Sequence, residues 1–329
     1  MPLGGLKASD AHPTPLSLIN LMPSLNFRTT LLLLIPGTLW GFLYLVNDIA
    51  LQTIPPFTFT AARNILTAIA VILMLYLNGG RLASTWAAWR PYFFLGLFDN
   101  AIPFVVISWG QLHIDSGLTT VLVSLLPLFT VLLAHYFSYN EPLNRNKLLG
   151  VLLGLLGIVV LVGPSALSDV GYHLWGQLAV IAGPFCYAIA AVYVRLHLRN
   201  EEQEGMNPVL RAISSQFLCS LPFILPFVII IDRPWTIQPS QASLIALCVS
   251  AWVISIGAAL AYYYMINQVG AATASTTIYL TPINGVFWGA ILLSETVTWS
   301  ILFALVLILS GVMVVNKAAE REVKLGEAA

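Results

Sequence analysis

A strongly apolar stretch occurs twice in this chain, TTVLVSLLPLFTVLLAHYFSYNEPLNRNKLLGVLLGLLGIVVLVG from Thr119 and ASTTIYLTPINGVFWGAILLSETVTWSILFALVLILSGVMVV from Ala274, about 154 residues apart. In each copy a proline inside one apolar helix, Pro127 or Pro282, precedes a glutamate, Glu141 or Glu295, at the turn into a second apolar helix. Duplication constrains the fold more than any single motif, because each copy must contribute the same set of elements. If each copy closes a five-helix unit, the odd number inverts the second unit relative to the first, an arrangement that builds membrane transporters.

A bilayer is the expected solvent. The chain is 58% apolar and 9% charged over 329 residues, far more apolar than one water-surrounded core requires. A helix needs about 20 apolar residues to cross the hydrocarbon. Runs of that kind parse into ten spans: Thr30 to Ala50, Phe57 to Leu77, Pro91 to Leu112, Gly117 to Ser138, Lys147 to Val162, Leu174 to Leu196, Val209 to Ile231, Gln241 to Ile266, Ala271 to Leu293 and Trp299 to Val315. The fold class expected is an all-α polytopic membrane protein, ten transmembrane helices in two inverted five-helix repeats.

Charge placement orients these spans. With the amino terminus in the cytoplasm, twelve of the fourteen Lys and Arg residues fall on that side, among them Arg81, Arg90, Arg145, Arg195, Arg211 and Lys317, and only Arg233 lies outside. Arg63 falls within span two, too deep for a loop charge yet within snorkelling reach of the interface. Both termini are then cytoplasmic, in the cytoplasmic (inner) membrane. Formal net charge is zero, so nothing points to a nucleic acid partner. Cys186, Cys219 and Cys248 all lie within spans and form neither a disulfide framework nor a zinc site, so no metal and no cofactor is expected. Residues 1–27 lack a signal-peptide pattern and read as a disordered cytoplasmic tail, with Met22 an alternative start.

The longest polar connection, RLHLRNEEQEGMNP from Arg195, joins spans six and seven, and GPSALSDVGYH from Gly163 joins spans five and six. Division near Ser168 gives five spans to each side: repeats at 28–168 and 169–317, then a cytoplasmic tail at 318–329. Span one then aligns with span six, Pro36-Gly37 with Gly183-Pro184. A proline frees backbone polar groups, which in a membrane belong beside a cavity or a packed kink, so these pairs predict matched helix breaks next to a mid-membrane site.

The ordered set of Trp40-Gly41, Arg63, Leu126-Pro127 to Glu141, Thr281-Pro282 to Glu295, and the lead-ins Ser116-Gly117 and Gly270-Ala271-Ala272 resembles the EamA family of the drug/metabolite transporter superfamily, over about 290 residues. The resemblance implies ten helices in two inverted repeats and a central cavity lined by helices one, three, four, six, eight and nine. It also implies export of small metabolites, a class running from amino acids and sugars to nucleotides and drugs.

Several residues are candidates for that work. Asp99 sits near mid-bilayer, where a charge costs about 2.5–3.5 kcal/mol on insertion scales. It is either a proton-exchanging coupling group or, with Asn100, a partner for backbone loosened by Pro103. Arg63 on span two and Asp48 on span one lie at similar depth and form either a structural ion pair or a substrate-carboxylate receptor at Arg63. Trp40, Tyr44, Tyr187, Tyr262 and Tyr264 place rings where a cavity or ordinary packing would use them, and Asn100, Gln111, Thr277 and Asn284 add amide and hydroxyl contacts for an amphipathic solute. Glu141 and Glu295 are expected to cap the helices that follow them. Gly150, Gly154 and Gly157 form a strip for close approach of another helix, in the same chain or in a homodimer partner.

The function expected is secondary-active export of amino acid-like or amphipathic metabolites by alternating access. No Gly-rich phosphate loop supports ATP use, and an intramembrane enzyme lacks its metal-ligand motifs. A passive channel lacks a ring of repeated charges.

Overall fold

The computed structural model describes residues 27–137, 144–168, 172–197, 206–269, 277–278 and 280–327. Among them ten helical rods follow one another. These are α1 (Phe27–Leu51), α2 (Pro56–Leu77), α3 (Trp86–Gln111), α4 (Ser116–Phe137) and α5 (Arg145–Ser168), then α6 (Tyr172–His197), α7 (Met206–Asp232), α8 (Gln241–Tyr264, its last turn running on to Val269), α9 (Leu280–Leu292) and α10 (Trp299–Glu327). Seven of them, α1 to α4 and α6 to α8, are long and apolar enough to cross a membrane, and α9 and Trp299–Val314 of α10 are shorter apolar helices.

Some boundaries differ from the sequence expectation. Helix α3 begins at Trp86 and carries Pro91 inside it. Helix α5 runs on to Ser168, through the first half of the expected connection. Helix α10 continues to Glu327, because the expected tail, AAEREVKLGE, is built of strong helix formers. The expected disordered tail lies, apart from Phe27, outside the described residues, and so does Glu141.

The matched proline breaks are corrected. Pro36 and Pro184 lie inside continuous helices, α1 and α6, since one lost backbone donor can be absorbed by bending. Their glycine neighbours serve close approach instead. A Cβ on Gly37 would stand 2.8 Å from Leu280 Cβ of α9, and one on Gly183 would stand 2.5 Å from Ile107 of α3. True interruptions fall elsewhere. Helix α4 stops at Val123 and restarts at Leu126 with Pro127 in its first turn, and Pro282 likewise sits in the first turn of α9. Wider π turns interrupt α3 at Gly96–Ala101, α7 at Val228–Asp232 and α8 at Val249–Ile256.

Neighbours in sequence are seldom the closest neighbours in space. Helix α5 packs along α10, α2 along α7, α3 along α6, α1 along α8 and α9, and α4 along α9 and α6. Exchanging the first five helices for the last five maps this set of pairings onto itself. The glycine strip of α5 is what admits α10: a Cβ on Gly157 would stand 2.6 Å from Ile308 Cγ1, and one on Gly311 2.5 Å from the Gly150 carbonyl oxygen. The helix served by the strip thus belongs to the same chain. Large apolar side chains such as Leu149, Leu152, Leu156 and Val159 of α5 face outward, while Asn47, Arg63, Asn64 and Thr67 are buried. That distribution suits a chain whose surroundings are hydrocarbon.

Candidate functional site

Arg63 stands two turns into α2 and is 2% exposed. Its Nη2 donates to Ser255 Oγ at 2.7 Å, and its guanidinium carbon lies 3.8 Å from the centre of the Phe104 ring. Ser255 Oγ in turn donates to the Ser250 carbonyl at 2.6 Å, five residues back, a spacing set by the π turns of α8. Among the described residues Arg63 Nε and Nη1 have no hydrogen-bond partner. The expected ion pair with Asp48 does not form. The reason is packing: α2 lies against α7 while α1 lies against α8 and α9, so the first two helices barely touch and Arg63 reaches α3 and α8. Asp48 remains half-buried on α1, within electrostatic reach of Asp115 and Glu295.

Two phenols complete the surroundings of the guanidinium. Tyr44 of α1 and Tyr187 of α6 lie within electrostatic reach of Arg63, and Tyr187 is also within reach of Asp99. Phe104 meets Tyr187 edge-on at 6.0 Å, and both pack against the core cluster that holds Tyr44. Gln111 Nε2 donates to the Tyr44 carbonyl at 2.7 Å, while its buried Oε1 has no partner among the described residues. Asn100, one turn before Phe104 in the π segment of α3, is 2% exposed, and its Nδ2 has no partner among the described residues. Five helices therefore converge here, α1, α2, α3, α6 and α8.

Other candidates stand apart from this cluster. Trp40, one turn from Tyr44, meets Tyr262 with the two rings tilted and their centres 5.3 Å apart. Tyr264 is 44% exposed on the outside of α8. Asn284 Nδ2 donates to its own helix at the Leu280 carbonyl, and Thr277 is buried. The polar layer beside Arg63 includes residues the sequence did not single out: Asn64 Nδ2 donates to Ser220 Oγ at 2.9 Å, and Ser250 Oγ to Asn47 Oδ1 at 2.9 Å. Serines five apart in the apolar run VSAWVISI were the available signal for the π turn.

Glu295 caps a helix other than the one it precedes. Its Oε1 accepts from the Ser116 backbone N–H at 2.8 Å and from Ser116 Oγ at 2.5 Å, and Oε2 accepts from the Gly117 N–H at 2.8 Å. A left-handed Ser294, φ 56°, ends α9 and swings the carboxylate across to α4. Glycine is required beneath it, since a Cβ on Gly289 would stand 2.2 Å from Glu295 Oε2.

An apolar groove of about 300 Å³ between α3 and α7, lined by Trp86, Trp89, Phe93, Leu218, Cys219 and Pro222, carries no convergent charge, and the chemistry lies at Arg63. Among the described residues no group of three His, Cys, Asp or Glu side chains could hold a metal ion.

Comparison with known proteins gives this architecture its relatives. The chain is 26% identical over 274 residues to the uncharacterized transporter YoaV of Bacillus subtilis, covering 83% of this chain and 91% of that one. It is 28% identical over 286 residues to the uncharacterized inner membrane transporter YedA of Escherichia coli K12, covering 83% and 88%. A solved crystal structure shares the fold at a TM-score of 0.60 and 20% identity, over 89% of this chain and 99% of that one. The model of the EamA-like transporter family matches twice, at residues 28–163 and again at 174–317. With both halves of its sequence accounted for in this way, the chain belongs to the EamA-like transporter family.

Proposed function

We propose that the chain is a secondary-active exporter that moves small metabolites, amino acid-like or amphipathic, across the cytoplasmic membrane by alternating access. The observation that carries this reading is the buried polar cluster around Arg63, to which α1, α2 and α3 contribute from the first half and α6 and α8 from the second. A charge buried at membrane depth is costly and belongs to a substrate or ion pathway. Located between halves that can rock against each other, such a cluster would be reached from one side at a time.

In this reading all ten helices span, units 28–168 and 169–317 thread in opposite senses, and both termini are cytoplasmic. The bias of Lys and Arg supports the orientation, and pairings that survive exchange of the halves support the repeat. The inner-membrane name of the Escherichia coli relative supports the location. Export as the direction rests on the resemblance to the family's exporters.

Counterflow in proteoliposomes is the test. Preloaded unlabelled solute should drive transient uptake of labelled solute if a carrier is at work, and solute that merely equilibrates would leave a channel. Asp99, within reach of Tyr187, is the proposed coupling group, so Asp99→Asn should abolish the pH dependence of exchange; a variant with unchanged rate and pH profile removes Asp99 from that role.

A further inference from the structure

Helix α8 is not held evenly along its length. Its first stretch is riveted to α1 and the turn that follows it: Thr53 Oγ1 donates to Ser243 Oγ at 2.7 Å, Ser243 Oγ to the Ile49 carbonyl at 3.0 Å, and Ser250 Oγ to Asn47 Oδ1 at 2.9 Å. Beyond the π segment Val249–Ile256 the fit to α1 slackens. A Cβ on Gly257 would have, among the described residues, only Leu39 Cδ1 within 4 Å, at 3.6 Å. By contrast, a Cβ on Gly41 of α1 would stand 2.6 Å from Asn284 Cβ of α9. The contact with α1 that follows Gly257 is between tilted rings, Trp40 and Tyr262.

A π segment holds an extra residue relative to α register, so its backbone ladder is locally out of step and open to side-chain donors. Two carbonyls of this one receive them, Ser250 from Ser255 Oγ at 2.6 Å and Ala251 from Thr67 Oγ1 of α2 at 3.1 Å. Helix α2 adds two more ties: Arg63 Nη2 donates to Ser255 Oγ at 2.7 Å, and the Leu66 carbonyl accepts from Trp252 Nε1 at 3.2 Å. Arg63, Leu66 and Thr67 are spaced by three and four, on one side of α2, so a single helix of the first half grips the extra turn of a helix in the second. Displaced by the repeat interval of about 154 residues, the π segment of α3, Gly96–Ala101, falls inside that of α8. It too is gripped from the other half, since a Cβ on Gly96 would stand 2.7 Å from the Cys219 backbone of α7.

Returning the α8 segment to α register would expel the extra residue and turn everything beyond it by about 100° around the helix axis. The riveted stretch would stay, and the loosely seated stretch would move. We propose that the π segment of α8 is a flexure of the carrier, about which Gly257–Tyr264 swings against α1, and that Arg63 and Thr67 are positioning residues that latch it. Arg63 joins the polar cluster to this movement, because the guanidinium that sits in the cluster also holds Ser255. The inference rests on the carrier reading above.

Pulsed electron–electron resonance on the full chain in lipid nanodiscs, with no solute added, tests it. Cys186, Cys219 and Cys248 are replaced by Ser, and spin labels are attached at Leu244→Cys and Tyr264→Cys, exposed positions on either side of the segment. A second pair at Trp299→Cys and Met313→Cys reports on α10, which has no such segment among its described residues. The α8 pair should show one main distance and a minor second one. Thr67→Val and Trp252→Phe, each losing one tie, should raise the ratio of the second to the first about fivefold, the weight of one ordinary hydrogen bond. Thr67→Ser, which keeps the hydroxyl, should retain the parent pattern, and the α10 pair should hold one distance throughout.

A lower melting temperature in Thr67→Val with an unchanged α8 distance would make the tie purely structural and overturn the flexure. If Thr67→Val does not fold, Trp252→Phe decides by the same criterion. A change in the α10 pair as large as that in the α8 pair would mean general loosening, and would overturn it too. Any of these outcomes leaves counterflow, and with it the carrier reading, untouched. Counterflow that fails while the second distance appears would strike the carrier reading, and with it the flexure's part in transport.

Discussion

Ser255 is a small residue with two duties, donating to the Ser250 carbonyl and accepting from Arg63. Ser255→Ala strands a third guanidinium nitrogen in the interior, and unfolding in mixed micelles should show a loss of about 2 kcal/mol. Asp115, in the turn between α3 and α4, belongs to a different environment. Partial burial and the nearby Glu295 carboxylate hold its carboxyl above the usual range, with His173 pulling the other way. A raised carboxyl means the folded chain binds its proton more tightly than the unfolded one. Its contribution is therefore intact below about pH 4 and lost as pH climbs through the raised value. Asp115→Asn should flatten the decline in melting temperature over that window and leave the protein slightly more stable at pH 7. At this scale the sequence identified Arg63 by its depth but assigned it the wrong partner. Asp48 matched it in depth alone, and depth says nothing of which helices touch; Ser255 is reached only through the five-residue serine spacing of the π turn.

Among the elements, the α4 start and the α5–α10 seam are the most exacting. Glu295 satisfies two of the orphan amide donors of α4 and the Ser116 hydroxyl as well. Glu295→Ala should cost about 2 kcal/mol in the same unfolding assay, with Glu295→Gln retaining part of it. At the seam, Gly157→Leu drives a side chain into Ile308 and the Ala304 carbonyl, and should lower stability by about 2 kcal/mol or more, read as a fall in melting temperature. The glycine strip was legible as a close-approach face, yet its partner was not, because spacing describes one helix and says nothing of the other. The cap was legible as a cap, and its target was not, because the αL turn at Ser294 sends the carboxylate to a helix 179 residues away. Proline was the least reliable guide. Pro36 and Pro184 bend within continuous helices, whereas Pro127 and Pro282 open helical segments.

For the whole molecule, the duplicated Pro-to-Glu blocks and the count of apolar runs were enough to foresee helices arranged by halves, since length and hydrophobicity decide membrane helices more firmly than they decide soluble ones. What they could not supply is the pairing across halves, which depends on side-chain relief at Gly37, Gly110, Gly176 and Gly183. The proposed threading makes a topological prediction. Reporter fusions at residue 329 and within the 198–205 segment should both signal from the cytoplasm, and a reporter at Pro239 from the opposite face; any other result removes the orientation.

The Glu295 carboxylate ties the end of α9 to the start of α4, at the same end of the bundle where Thr58 of α2 grips Asp232 of α7 through its amide at 2.6 Å and its hydroxyl at 2.9 Å. Parting the sequence halves at that rim would rupture these clasps. Loosening one should therefore ease entry there: a thiol probe placed near Tyr44 should be labelled faster from that side in Glu295→Ala than in the parent, and an unchanged rate would leave the clasp without a part in access.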